Sequence, residues 1–282
     1  MMTSSTLRVG LVGYPVEHSL SPVMQQAAFD ALGIAARYEL WPTRPEELAE
    51  RVAGLRHPDA LGANVTVPHK TRVLPLLDEV SPLARRAGAV NTIISRAGRL
   101  HGDNTDVPGF LAPLRARGLD FGQTDAVILG AGGAARAVAV ALADAGCRSV
   151  LVANRTPERG AALARELGGP LAAAPLDVRL TGPLSRATLL VNATAVGWTG
   201  EELPLDAALL DSLPPGGLVY DLTYRQTPLL RAAEARGLAT LDGFVMLVQQ
   251  GVAAFRLWTG QEPPQELMLA AARSARERHA HP

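Results

Sequence analysis

At 282 residues, 48% of them apolar and 19% charged, the chain can bury one large core or two of ordinary size, and its composition is not that of a disordered protein. Its 27 basic and 27 acidic side chains cancel at pH 7 and no basic run of five occurs, which argues against nucleic acid as the partner, and no apolar stretch approaches the ~18 residues of a membrane span. The one cysteine, Cys147, excludes an internal disulfide and fits a reducing, cytoplasmic compartment. The polar N-terminus, Met1 to Arg8, is not expected to be a signal peptide, and the six histidines show no metal-ligand spacing, so no metal is expected.

Short apolar runs alternate with helical stretches, which predicts an α/β fold built on parallel strands. In chain order, strands are expected at Leu7–Gly13, Arg37–Trp41, Gly62–Val67, Val90–Ser95 and Arg99–Asp103. A helix should open at Ser21-Pro22, where serine before proline reads as an N-cap, and end at Gly33; a second is expected over Glu46–Leu55. The rhythm then repeats: strand Ala126–Leu129, helix Ala134–Ala145, strand Ser149–Ala153, helix Pro157–Leu167, strands Thr188–Val191 and Leu218–Asp221, helix Pro228–Arg236. The Gly/Pro/Ala-rich stretch Gly168–Gly182 predicts a loop, and helices Phe244–Trp258 and Pro264–Arg276 close the chain.

The segment from Val127 to Arg136 reads as strand, glycine turn and helix start, with Gly130, Gly132 and Ala135 in the places of G-x-G-x-x-(G/A). The first glycine permits the turn, the second lets backbone N–H groups approach a pyrophosphate, and the helix N-terminus adds partial positive charge. The next strand ends in Asn154, Arg155 and Thr156, with Arg159 one helical turn on. An acidic residue there would bond a ribose 2′-OH and repel a 2′-phosphate; an amide, a hydroxyl and two guanidinium groups would hold that phosphate. NADP is therefore expected rather than NAD.

Lys70 is the only lysine among the 27 basic residues. Arginine keeps its charge under nearly all conditions, whereas lysine can release its proton, so a lone lysine is a candidate acid–base group. It lies in one of four segments dense in small polar groups: Gly13 to Pro22, Asn64 to Lys70, Gly88 to Thr92 and Gly102 to Asp106. Each follows a predicted strand or lies between strands, the place where open α/β sheets hold ligands.

Together these segments resemble the shikimate dehydrogenase family, which carries S-x-S, N-V-T-x-P-x-K, A-G-A-V-N-T, D-N-T-D-G, G-A-G-G-A, N-R-T-x-x-R, Y-D-x-x-Y and D-G-x-x-M-L-x-x-Q in that order. This chain has them from Ser19 to Gln250, with Tyr220 to Tyr224 and Asp242 to Gln250 as the last two. Two positions depart from the family: Val107 stands where it has glycine, and Trp198 follows Asn192-Ala-Thr-Ala-Val-Gly197 where it has a flexible side chain. The resemblance implies that Ser19, Ser21 and Tyr224 hold the shikimate carboxylate. Thr66, Asn91, Asp106 and Gln250 would hold ring hydroxyls, Lys70 and Asp106 would meet the reacting oxygen, and Asn64 would support the site. Gly130, Ala131, Gly132, Gly133, Ala134, Asn154, Arg155, Thr156, Arg159, Leu222 and Gly243 would line the NADP site.

Reducing a ring ketone needs a hydride on carbon and a proton on oxygen, and an ammonium fixed by a carboxylate can polarise the carbonyl and deliver that proton. The expected architecture is two α/β domains around a cleft: residues 1–106 with 242–282 binding the small-molecule substrate, and residues 107–241 forming a Rossmann-type NADP domain. The expected activity is NADPH-dependent reduction of 3-dehydroshikimate to shikimate by a monomer or homodimer, without nucleic-acid or membrane partners. Alternatives are a relative acting on quinate or an amino analogue, or a non-catalytic ligand-binding relative.

Overall fold

The computed structural model describes residues 6–280, so residues 1–5 of the polar N-terminal stretch, and 281–282, lie outside the described residues. The chain divides into two units, one made of residues up to Gly109 and from Val248 on, the other of Phe110–Leu247.

The first unit opens with β1 (Leu7–Gly13), α1 (Ser21–Ala31), β2 (Ala36–Pro42), α2 (Leu48–Gly54) and β3 (Ala60–Val65), followed by β4 (Glu79–Val80), α3 (Pro82–Ala87), β5 (Thr92–Arg96) and β6 (Arg99–Asp103). They form a six-stranded sheet in the order β2-β1-β3-β5-β6-β4. The strands β1, β2 and β3 are parallel, as crossover helices require. The expectation of parallel strands holds for these three, whereas β5 runs antiparallel to both β3 and β6. The β5–β6 pairing has a local cause: the strands are joined by Ala97-Gly98, both at positive φ (50° and 76°), the geometry of a tight hairpin turn. The core behind this sheet includes Val12, Trp41, Val52, Val65, Ile93 and Leu100.

Helix α1 also departs from expectation. Ser21 does not cap it: Leu20 holds the cap position without a side-chain bond, and Ser21 is the first helical residue, 5% exposed. Its hydroxyl is thus not spent on the helix end.

After α4 (Asp106–Ala116) the second unit runs β7 (Asp125–Leu129), α5 (Gly133–Asp144), β8 (Ser149–Asn154), α6 (Pro157–Leu167), β9 (Leu171–Pro175), α7 (Thr181–Leu184), β10 (Leu189–Asn192), β11 (Leu218–Asp221), α8 (Pro228–Glu234) and β12 (Ala239–Leu241). Helices α9 (Phe244–Thr259) and α10 (Gln265–Ala280) close the chain. The second sheet is parallel in the order β12-β11-β10-β7-β8-β9, the arrangement of a doubly wound dinucleotide fold. Its central strands are buried on both faces, which is why they read as unbroken apolar runs. Strand β9 falls in the stretch expected to be loop. Its Ala-rich sequence has little intrinsic β preference; pairing with β8 makes it a strand, and Pro175 is tolerated because it ends an edge strand.

Cys147 is 5% exposed, and burial, helped by the charge of Asp125, pushes its thiol up to about 12. The native protein should therefore resist iodoacetamide at pH 8 and take up one equivalent only after denaturation, as read by mass spectrometry. Rapid labelling of the native chain would contradict this placement.

Candidate functional site

In the first unit, loops after β3 and before β5 and the first turn of α4 bring their polar residues together. Lys70 Nζ donates to Asp106 Oδ2 at 2.6 Å, with the two side chains 15% and 6% exposed. Asn91 Nδ2 donates to the other carboxylate oxygen, Asp106 Oδ1, at 2.9 Å, and lies 3.5 Å from Gln250 Oε1 on α9. Asn91 cannot turn over, because its Oδ1 accepts the backbone N–H of Thr105 at 2.7 Å. The Lys70 backbone is held as well, its carbonyl accepting from Val90 N at 2.7 Å. A cation, a carboxylate and two amides thus converge with fixed donor directions, an arrangement suited to gripping hydroxyls around a group that can give or take a proton.

Asn104 shows why Asp106 stands where it does. Its side-chain oxygen accepts from the N–H groups of Asp106 and Val107 at 3.1 and 3.3 Å, while its amide donates to Ala89 O at 2.8 Å. This is helix capping, and it places Asp106 in the first turn of α4. Val107, the departure from the family's glycine, is buried and helical, so the turn is kept without the glycine. Sequence reasoning missed Asn104, although an Asn two residues before a helical Asp is a readable cap signal.

Ser19 Oγ accepts from Ser21 N at 3.2 Å, so the two serines form one local turn leading into α1. Thr66, half-buried, continues the β3 pairing through its N–H to Val12 O at 2.9 Å. Asn64 is 4% exposed and its amide donates to Asn91 O and Thr92 Oγ1 at 3.2 and 3.3 Å. Tyr224 belongs to the second unit, where its ring meets Trp198 edge-on at 5.0 Å while Arg225 lies 4.6 Å over the same indole. Trp198, the second departure, is thereby held by its own unit's residues.

In the second unit the glycine turn joins β7 to α5. Gly130 adopts φ +112°, and a Cβ there would lie 3.1 Å from the Thr194 methyl. Gly132 is different: it precedes α5 at φ −87°, a Cβ would meet nothing within 4 Å, and it is exposed. Neither backbone conformation nor internal packing calls for a glycine at that position, whereas a pyrophosphate approaching the helix N-terminus would fill the space. Ala131, Gly133 and Ala134 complete the turn, and Ala135 packs fully buried against the sheet.

Beyond the end of β8, Asn154 donates to Thr156 O at 2.8 Å, and Arg155, Thr156 and Arg159 are exposed. Thr156 precedes α6 without capping it by its side chain, and among the described residues neither guanidinium has an ion-pair partner. Two uncommitted cations and a hydroxyl fit a phosphate monoester, so the residues present suit NADP. Leu222 and Gly243 are in direct contact, Gly243 N donating to Thr223 O at 2.7 Å.

Asp221, buried at the end of β11, accepts from Asn192 Nδ2 at 3.0 Å, Thr227 Oγ1 at 2.8 Å and Thr223 N at 3.0 Å. Burial raises its carboxyl above the usual range, against the pull of these bonds. Asn192 in turn fixes Thr194, whose hydroxyl it accepts at 2.7 Å, and so shapes the wall beside Gly130. Among the described residues no His, Cys, Asp and Glu group could hold a metal ion, and no helix is long and apolar enough to cross a membrane.

Comparison with known proteins follows the same division. A family model described as the shikimate dehydrogenase substrate binding domain matches residues 11–93, one described as shikimate / quinate 5-dehydrogenase matches 114–197, and one described as the shikimate 5'-dehydrogenase C-terminal domain matches 243–273. The shikimate dehydrogenase (NADP(+)) of Moorella thermoacetica is 47% identical over 281 residues, covering 96% of this chain and 94% of that protein. Its counterpart from Thermus thermophilus is 48% identical over 272 residues, 95% of this chain and 98% of that one. The crystal structure of a Thermus thermophilus shikimate 5-dehydrogenase in complex with NADP(H) and shikimate matches at TM-score 0.86 and 47% identity, over 95% of this chain and 99% of that one. Quinate dehydrogenase from Corynebacterium glutamicum in complex with NAD matches at TM-score 0.85 and 33% identity, over 95% and 99%. Close to half of all positions are shared along nearly the whole length of both partners, and on that ground the chain belongs to the shikimate dehydrogenase family.

Proposed function

We propose that this chain is an NADP-dependent oxidoreductase that reversibly reduces 3-dehydroshikimate to shikimate, on the route to chorismate and the aromatic amino acids. The observation that carries the reading is the Lys70–Asp106 pair at 2.6 Å, braced by Asn91; Lys70 and Asn91 lie in the part of the chain that matches a substrate binding domain model. NADPH, when bound, supplies the hydride to the ring carbonyl carbon. Lys70 donates its ammonium proton to the carbonyl oxygen and regains one from solvent; in the reverse direction its neutral amine takes the hydroxyl proton. Asp106 orients the ammonium and accepts from the same hydroxyl.

The remaining roles are assigned on the same reading. Thr66, Asn91 and Gln250 hold the other ring hydroxyls, and Ser19, Ser21 and Tyr224 the carboxylate, with Asn64 behind them. Residues 1–106 with 242–282 form the substrate side, and residues 107–241 the NADP side. There, Gly130 to Ala134 receive the pyrophosphate, and Asn154, Arg155, Thr156 and Arg159 the adenosine 2′-phosphate, while Leu222 and Gly243 line the nicotinamide end. The protein works in the cytoplasm as a monomer or homodimer, which light scattering on the purified chain decides.

Initial rates with shikimate and quinate, each with NADP and NAD, test the activity. Shikimate-dependent reduction of NADP supports it; no turnover with any pair sinks it. Quinate is kept as the second reading because a family model named for both substrates covers residues 114–197. Higher kcat/KM on quinate would favour that assignment.

A cofactor prediction follows from the two exposed guanidinium groups. Arg155→Gln should raise KM for NADP about ten- to a hundredfold, corresponding to a charge-assisted bond of about 1.5–3 kcal/mol, while leaving KM for NAD within twofold. An equal change for both cofactors would assign Arg155 to the fold or the adenine instead.

A further inference from the structure

One buried phenol of the first unit takes no part in the steps above. Tyr38, on β2, is 5% exposed, with its ring 6.2 Å from that of Trp258. Its hydroxyl donates to Asn64 Oδ1 at 2.8 Å. The direction of that bond is not free. Asn64 Nδ2 faces the carbonyl oxygen of Asn91 at 3.2 Å, which can only accept, so Oδ1 must be the atom turned toward Tyr38 and the phenol must be the donor. Burial pushes the phenol well above its ordinary range, against the pull of a hydrogen bond with the Ser21 side chain, so it keeps its proton.

From Tyr38 the donors continue in one direction. Asn64 Nδ2 donates to Thr92 Oγ1 at 3.3 Å; Thr92 Oγ1 lies 3.1 Å from both Asn91 Oδ1 and Thr105 Oγ1; and Asn91 Nδ2 donates to Asp106 Oδ1 and Thr105 Oγ1, each at 2.9 Å. Every link is buried, and each group's acceptor is filled before its donor is used. Bonds aligned in series polarise one another, and within a low-dielectric interior an end group with no partner is costly. The chain ends on the carboxylate that holds Lys70.

We propose that Tyr38 is a positioning residue for this dehydrogenase: through a run of donors passing Asn64, Thr92 and Asn91, its hydroxyl helps to fix the amides that grip substrate. Removing its hydroxyl orphans Asn64 Oδ1, takes a partner from the Ser21 side chain and loosens Asn64 and Thr92 against Asn91, which keeps its bond from Thr105 N, without the phenol itself touching substrate. The loss falls on substrate binding, because the amides hold ring hydroxyls in the ground state and the transition state alike.

The test is Tyr38→Phe, which keeps the ring and its packing. KM for shikimate should rise about tenfold and KM for NADP stay within twofold, with kcat lowered less than threefold and the melting temperature within a few degrees of the unaltered chain. A cycle with Thr92→Val, which cuts the chain further along, should be non-additive: the double variant should be no worse for shikimate than Thr92→Val alone. Unchanged shikimate KM in Tyr38→Phe, equal changes in both KM values, or additive effects in the cycle each overturn the proposal. Should Tyr38→Phe not fold, Thr92→Val carries the same KM test, and a Thr92→Val enzyme with unchanged shikimate KM overturns the chain. The inference rests on the dehydrogenase reading, and the two fail differently. No shikimate-dependent NADP reduction by the unaltered chain sinks that reading, whereas normal turnover with a silent Tyr38→Phe sinks the inference alone.

Discussion

Lys70→Ala should lower kcat by at least about a hundredfold, the scale of a lost acid–base group. The structure adds a second consequence. Asp106, its side chain 6% exposed, would keep Asn91 as a partner but lose its cation, and a buried carboxylate without a counter-charge is costly. The melting temperature should therefore fall along with kcat. Shikimate KM should change much less, because Asn91 and Gln250 remain as hydroxyl partners. Lys70→Arg separates the two effects. A guanidinium restores the charge beside Asp106, so much of the thermal stability should return. The proton still cannot leave, so kcat should stay low. Steady-state rates in both directions and a thermal melt on each variant check this; near-normal kcat in either would remove Lys70 from the proton-transfer role.

Gly243→Val should impair kcat and NADP KM together and lower the melting temperature. A Cβ at Gly243 would lie 2.0 Å from Leu222 O and 2.5 Å from Leu222 C, a clash with backbone that no rotamer change relieves. Overpacking of this kind costs about 1–3 kcal/mol and more where the neighbour cannot move. Leu222 cannot move freely: its N–H donates to Asn192 O at 3.0 Å, and Gly243 is tied to Thr223 O at 2.7 Å. Since both residues are assigned to the nicotinamide end of the cofactor, displacing one displaces the other. Gly243→Ala already carries the clashing Cβ and should show the same pattern in milder form. An alanine variant with unaltered melting temperature and NADP KM would mean that the segment yields, and that the contact sets no shape.

The dinucleotide half was the more legible in the sequence, for a physical reason. Its signals are local: the apolar run of β7, the glycines at 130 and 132, the small-residue helix α5 and the Asn154–Arg159 segment lie within one βαβ unit, where each residue's conformation depends mostly on near neighbours. The candidate site residues of the first half could be listed from motifs, and Lys70 stood out by composition alone. Their arrangement could not be read. The Lys70–Asp106 bond joins residues 36 apart and the Asn91–Gln250 contact residues 159 apart, and no periodicity encodes such pairings.

Tertiary structure decided the rest. It set β5 antiparallel to β3 as well as to its hairpin partner β6, and made a strand of Leu171–Pro175 by giving it β8 to pair with. It left Ser21 inside a helix rather than capping it. It also aligned Tyr38, Asn64, Thr92 and Asn91, residues from separate strands and turns, into one donor chain. Residue types and local spacing determine which groups a chain has to offer. Which of them share a buried hydrogen bond depends on which strands become neighbours, and that follows from burying the apolar faces of the whole sheet at once.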